Sequence, residues 1–285
     1  MITLKGKTCI ITGAASGIGE RTAKLFESLG AAVIALDIDE KRGRRLEARS
    51  KRGGITFRRI DLTDRSQLLE FGEWAEENLK RIDVLISGAV AHTRNTVLDL
   101  SMDAWDAEVA LSLTAPMLLS RFAARKMIEE KIRGKIILIG AVQAWFPMGS
   151  SFSYSVAKGG VISMAKSLAV DLGKHGIAVT AVMPGPIYTF DGNRLENAPA
   201  AMDREAATLL GRMGRRVEVA NLLAFLASDL NSFMTGNTII IDGGRTISRK
   251  PDPDAVATFL LDEGGPRGER PPRQISTIAG RRRGE

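Results

Sequence analysis

The chain has 285 residues, 44% of them hydrophobic and 26% charged, enough for one sizeable core and within the range of a single α/β domain. Every hydrophobic stretch is broken by charge or glycine short of the ~18 to 20 apolar residues that cross a bilayer, and the amino terminus runs into a strand pattern without the parts of a secretory signal, so a cytoplasmic protein with no membrane partner is expected. The formal charge is +7, but Arg42-Gly43-Arg44-Arg45, Arg212 to Arg216 and Arg281-Arg282-Arg283 are separate clusters mixed with acids, which argues against a nucleic-acid partner.

Thr8 to Thr12 reads as the first strand. It contains Cys9, the single cysteine, so no intrachain disulfide is possible and a buried, inert thiol is expected. The loop Thr12-Gly13-Ala14-Ala15-Ser16-Gly17-Ile18-Gly19 follows and opens a helix on which Thr22, Leu25, Phe26 and Leu29 repeat at helical spacing until Gly30 stops it. Glycines at such a turn let backbone amides approach a pyrophosphate at the helix N-terminus, which makes Gly13, Ser16, Gly17, Ile18 and Gly19 candidate dinucleotide-binding residues.

The second strand, Ala32 to Leu36, ends on Asp37. Its carboxylate is placed to accept hydrogen bonds from both adenosine ribose hydroxyls and to repel the 2′-phosphate of NADP. Ser16 and Ile38, where a cation would serve that phosphate, are uncharged, so NAD is the expected cofactor. The other reading of Asp37 is a cap on the following turn.

Further strands are predicted at Ile55 to Ile60, Val84 to Ser87, Lys135 to Ile139, Ala178 to Met183 and Thr238 to Ile241, with amphipathic stretches between them. Strands alternating with helices imply an α/β fold, a Rossmann-type doubly wound parallel sheet of about seven strands with helices on both faces and ligands at the strands' carboxyl ends. Residues 1–247 are expected to form the dinucleotide-binding and catalytic domain. Residues 248–285 read as a tail, since five of the ten prolines fall at positions 251, 253, 266, 271 and 272 among glycines and charges. Asp254 is placed to cap a short helix there, whose apolar face would need a surface such as a neighbouring subunit.

Tyr154 and Lys158 lie four apart at the start of a helix predicted to run to about Leu172, so they share one face. An ammonium beside a phenol is expected to lower it from its usual value of about 10, which suits Tyr154 to general acid/base work. On its own such a spacing is commonly a solvated pair; the glycine loop upstream gives it meaning.

The glycine loop, Asp61-Leu62-Thr63, Tyr154-Ser155-Val156-Ala157-Lys158 and Pro184-Gly185-Pro186-Ile187-Tyr188-Thr189 together resemble the short-chain dehydrogenase/reductase family over about residues 5 to 244. The resemblance implies that Asp61, beside Leu62, meets the adenine ring, that Ile187 and Thr189, following Pro184, hold the nicotinamide carboxamide, and that Lys158 also holds the nicotinamide ribose. It further implies a small-molecule substrate, no metal, and a homo-oligomer, dimer or tetramer, pairing through the helices near Trp105 and Val161.

Three positions depart from the family pattern. The serine expected before the tyrosine is Ala141, the Asn-Asn-Ala-Gly stretch after the fourth strand is Ser87-Gly88-Ala89-Val90, and the helix asparagine after Trp105 is Ser112. Losing one donor to a developing oxyanion typically costs ~10² to 10³ in rate; Gln143, Ser112 or a water are candidate substitutes, with an exposed loop position as the other reading of Gln143.

Trp145, Phe146, Met148, Met183, Tyr188 and Phe190 are expected in the loops at the substrate's entry, pointing to a partly apolar substrate, with core packing as the competing reading of each. His92 reads as a solvated loop residue, and the loop from Phe190 to Arg216 carries no readable motif. The expected function is an NAD(H)-dependent oxidoreductase interconverting a secondary alcohol and a ketone. A catalytically impaired or non-redox NAD-binding protein on the same fold is the alternative.

Overall fold

Aliphatic and β-branched runs, each four to seven residues long, pair side by side into one parallel sheet. The computed structural model describes residues 1–51, 53–91, 94–189 and 208–247. His92, Phe190, much of the loop before Arg216 and the whole tail 248–285 with Asp254 lie outside them.

In chain order the elements are β1 (Thr8–Thr12), α1 (Gly17–Ser28), β2 (Ala32–Asp37), α2 (Glu40–Ala48), β3 (Ile55–Arg59), α3 (Arg65–Asn78), β4 (Val84–Ser87) and α4 (Met102–Val109). A π turn, Ala110–Thr114, joins α4 to α5 (Ala115–Glu129), followed by β5 (Lys135–Ile139), α6 (Phe152–Leu172) and β6 (Ala178–Pro184). The two-residue strands β7 (Ile187–Tyr188) and β8 (Gly214–Arg215) pair apart from the main sheet, and α7 (Arg216–Ala227) and β9 (Asn237–Ile241) complete the described chain. The seven-stranded sheet has the order β3-β2-β1-β4-β5-β6-β9, and every pairing is parallel. This is the doubly wound fold read from the sequence; β2 and β6 each run one residue further than expected.

Two cores flank the sheet. One gathers Leu68, Phe71, Phe122, Met127 and Val161 from α3, α5 and α6, and the other Phe26, Leu46, Leu223 and Leu226 from α1, α2 and α7. Side chains of a strand alternate between them, as Ile10 and Ile11 do. Met183 belongs to the first core, fully buried over Gly140, where a Cβ would come within 2.3 Å of its sulfur. The expectation that it stands at the substrate's entry is therefore corrected: period-2 alternation turns it inward. Short polar side chains start the helices, Asp39 accepting from the Arg42 amide at 2.9 Å, Asp64 from Ser66 at 2.9 Å and Ser101 from Ala104 at 3.2 Å.

Phe26 is fully enclosed beneath the sheet, so Phe26→Ala leaves a ring-sized void and is expected to cost about 3 to 5 kcal/mol. Urea unfolding checks this; a loss under about 1 kcal/mol would mean that the ring is not part of a close-packed core.

Candidate active site

The sheet's order reverses between β1 and β4, and the crevice outside the strands' carboxyl ends is where such a fold takes a ligand. A cleft of about 580 Å³ opens there. All the expected cofactor residues line it: Gly13, Ser16, Gly17, Ile18, Gly19, Asp37, Asp61, Leu62, Lys158, Pro184, Ile187 and Thr189, together with Tyr154.

The phosphate end is built by backbone. Gly13 has φ +68°, and a Cβ on Gly19 would stand 2.1 Å from the Gly13 carbonyl oxygen, so neither position tolerates a side chain without displacing the loop. Ser16 precedes α1 without capping it through its side chain, which leaves the leading amides and the positive end of a 12-residue helix to an anion. Thr12, missed in the sequence, braces the wall opposite: its buried hydroxyl accepts from the amides of Gly88 at 2.9 Å and Ala89 at 3.2 Å.

Two acids line the far end. Asp37 accepts from the Ala15 amide at 2.9 Å through Oδ2 and from the Asp39 amide at 3.0 Å through Oδ1. The turn-capping contact thus exists alongside the position in the cleft, and it holds the carboxylate in one orientation. Asp61 Oδ1 accepts from the Thr63 amide at 2.9 Å and its hydroxyl at 2.7 Å. Among the described residues lining the cleft, Lys158 is the only cation. A glycine cradle, a free helix N-terminus and a fixed carboxylate fit a dinucleotide.

The reacting end is set by α6. Lys158 Nζ lies 5.3 Å from the centroid of the Tyr154 ring and donates to the Ile139 carbonyl at 3.4 Å. Burial lowers the ammonium to about 8, opposed by the Glu108 carboxylate. The phenol is not lowered as expected. Burial first, and then the negative charge of Glu108, push Tyr154 up to about 12, because removing a phenolate from water outweighs a buried ammonium that is itself losing its proton.

Ala141 lines the cleft with Tyr154, so a methyl group faces the space where a serine hydroxyl was expected. The candidate substitutes do not line it. Gln143 is half-buried, neither exposed nor on the cleft, with Nε2 at 3.1 Å from Met148 Sδ. Ser112 is buried and donates to Glu108 Oε1 at 2.6 Å. The π turn that contains it has a local cause: Pro116 lacks the amide that would bond the Ser112 carbonyl, and its ring crowds that carbonyl. Of the apolar residues expected at the entry, Trp145, Phe146 and Met148 are exposed on the loop after β5, and Tyr188 is half-buried.

Glu108 was not singled out in the sequence. Trp105, Glu108 and Ser112 recur at helical spacing, but with Asp103 and Asp106 beside it the carboxylate reads in sequence as one more solvated charge.

A family model described as enoyl-(acyl carrier protein) reductase matches residues 13–246. The chain is 36% identical to a 3-oxoacyl-[acyl-carrier-protein] reductase of Thermotoga maritima, over 86% of this chain and 99% of that protein. It is 31% identical to the short-chain dehydrogenase reductase 3c of Arabidopsis thaliana, over 89% and 99% of the two chains. The chain belongs to the short-chain dehydrogenase/reductase family. As a short-chain dehydrogenase/reductase it is, at the coarse level, an oxidoreductase of small molecules that uses a nicotinamide cofactor. The solved structure of a 4-hydroxyisoleucine dehydrogenase complexed with NADH superposes with a TM-score of 0.78 at 28% identity, over 85% of this chain and 99% of that one. A further short-chain dehydrogenase/reductase structure gives 0.76 at 28% identity, over 86% and 99%. Among the described residues no helix is long and apolar enough to cross a membrane.

Proposed function

We propose that this short-chain dehydrogenase/reductase is an NAD(H)-dependent enzyme that interconverts a secondary alcohol and a ketone on a small, partly apolar substrate. The observation that carries the cofactor choice is Asp37, a carboxylate on the cleft wall held by two amides, in a cleft whose described lining has no cation other than Lys158. A 2′-phosphate there would meet an unneutralised negative charge, whereas a ribose diol would meet an acceptor.

In this reading the leading amides of α1, with Gly13, Ser16, Gly17, Ile18 and Gly19, bind the pyrophosphate, and Asp61 and Leu62 bound the adenine. Pro184, Ile187 and Thr189 orient the nicotinamide carboxamide, and Lys158 holds the nicotinamide ribose. The bound cofactor supplies the hydride donor or acceptor. Tyr154 Oη gives its proton to the carbonyl oxygen during reduction and takes it back during oxidation. Lys158, as an ammonium, stabilises the phenolate between those events. The apolar substrate is supported by Val90, Ala91, Leu111 and Ala141 on the cleft wall.

Residues 1–247 are the catalytic unit in this reading and 248–285 a tail. The protein works in the cytoplasm as a homo-oligomer, dimer or tetramer, through surfaces such as the outward Val156 and Val170 of α6. A second reading, a catalytically impaired or non-redox NAD-binding protein, is favoured by Ala141 and by a Ser112 turned away to Glu108. Following NADH absorbance with a panel of ketones and secondary alcohols separates the two, since turnover belongs to the first alone.

NADH is expected to bind at least about tenfold more tightly than NADPH, a difference of roughly 1.4 kcal/mol. Fluorescence titration measures it, and Asp37→Ala should weaken NADH while narrowing the gap. Tighter NADPH binding would remove Asp37 from its role.

A further inference from the structure

Behind Tyr154 and Lys158 lies a buried acid. Glu108 on α4 is 3% exposed, and a carboxylate held out of water needs a cation or several donors to remain charged. Oε1 has one donor, the Ser112 hydroxyl at 2.6 Å. Oε2 is buried with no hydrogen-bond partner among the described residues.

Lys158 shows the complementary deficit. It is also 3% exposed, and of its three donors one makes a long bond, 3.4 Å to the Ile139 carbonyl. The helices α4 and α6 pack together, and the charge of Glu108 acts on both Lys158 and Tyr154. The groups that hydrogen-bond them, the Ser112 hydroxyl on the π turn to Glu108 and the Ile139 carbonyl at the end of β5 to Lys158, are neutral.

We propose that Glu108 is the buried counter-ion of Lys158, a positioning residue whose carboxylate, across the α4–α6 packing and without direct ion-pair contact, keeps the ammonium charged beside Tyr154. The inference rests on the reading of Tyr154 and Lys158 as the chemical pair. It assigns to Glu108 the task of holding that pair's charge in a site that has lost a serine at Ala141.

The signs follow directly. Without the carboxylate, Lys158 gives up its proton more easily and titrates below its present value of about 8. Tyr154 is relieved of a repelling charge and ionises below about 12. A group that only fills space would move neither.

The chain has two tyrosines, so in a Tyr188→Phe background tyrosinate absorbance after a rapid pH jump reports Tyr154 alone. The Lys158 ammonium is followed through its ¹³Cε resonance, assigned by its loss in Lys158→Arg. In folded Glu108→Gln both midpoints are expected to fall by about one pH unit, while Glu108→Asp returns them to within about 0.3 unit of the parent. Unmoved midpoints in folded Glu108→Gln would overturn the proposal. Neither readout needs cofactor or substrate, so shifted midpoints without turnover in any variant would sink the oxidoreductase reading and leave the counter-ion standing.

Should Glu108→Gln not fold, Lys158→Met gives the independent test. Removing the ammonium strands a buried carboxylate charge, so the variant is expected to lose stability relative to the parent as pH rises from 5 toward 8. Stability curves that run parallel across that range would overturn the pairing.

Discussion

Tyr154→Phe is expected to lower turnover by about 10³-fold or more, at the upper end of what one positioned acid/base contributes. The reason is the poverty of the site around it. Ala141 presents a methyl group, Ser112 spends its hydroxyl on Glu108, and Gln143 does not line the cleft. Among the described residues, Lys158 is the one other side-chain donor lining the cleft beside the phenol, and in this reading it is engaged with the ribose and the phenolate, so little shares the loss of the phenol. Phenylalanine keeps the shape of the ring, and NADH affinity should stay within about threefold, well under 1 kcal/mol. Steady-state rates with the best ketone of the panel, beside a cofactor titration, check both parts. Retained turnover would remove Tyr154 from the chemistry, and an equal loss of NADH binding would make it a binding group.

The opposite change is expected at Ala141. This residue is 8% exposed, in extended backbone at φ −158° and ψ 152°, where β5 gives way to a short helical turn. Serine adds one oxygen there, facing the same space as Tyr154. Such a donor is worth ~10² to 10³ when removed from a site built around it, and Ala141→Ser is expected to recover about 10 to 10²-fold in kcat on simple ketones, less than the full amount because the surrounding groups have not been arranged for it. An unchanged kcat with NADH still bound would favour the second reading, in which the cleft holds a dinucleotide without passing a hydride.

Most of the fold was legible because its strands are short, nearly continuous apolar runs bounded by glycine or acid, and because helical periodicity between them left one class of architecture. The same continuity hid Met183. Every residue of β6 from Val179 to Pro184 is buried, the polar Thr180 included, so no exposed residue marked which face of the strand pointed to a core and which to a loop. At the site, motif spacing placed the residues of the cleft, since local backbone and helix register decide which of them point outward together. What spacing could not supply was dielectric environment. It placed an ammonium near a phenol and missed that burial would drive the two in opposite directions, toward about 8 and about 12. Nor did it mark Glu108, a carboxylate on a helix with other acids, Asp103 and Asp106, which in sequence reads as one more solvated charge. The proline at position 116, four residues after Ser112, was the readable sign that the helix would widen there.

Cys9 sits at the centre of the sheet, its strand neighbours Val33 on one side and Val84 on the other, and burial raises its thiol well above the ordinary range. As the chain's single cysteine, it leaves the folded surface without a native nucleophilic sulfur. A cysteine placed at Val90, half-exposed on the cleft wall, would accept a maleimide fluorophore with no background, turning cofactor binding into a local optical signal. Slow alkylation of Cys9 itself would then clock the opening of the sheet as a whole, so one molecule holds a reporter for its site and another for its global stability.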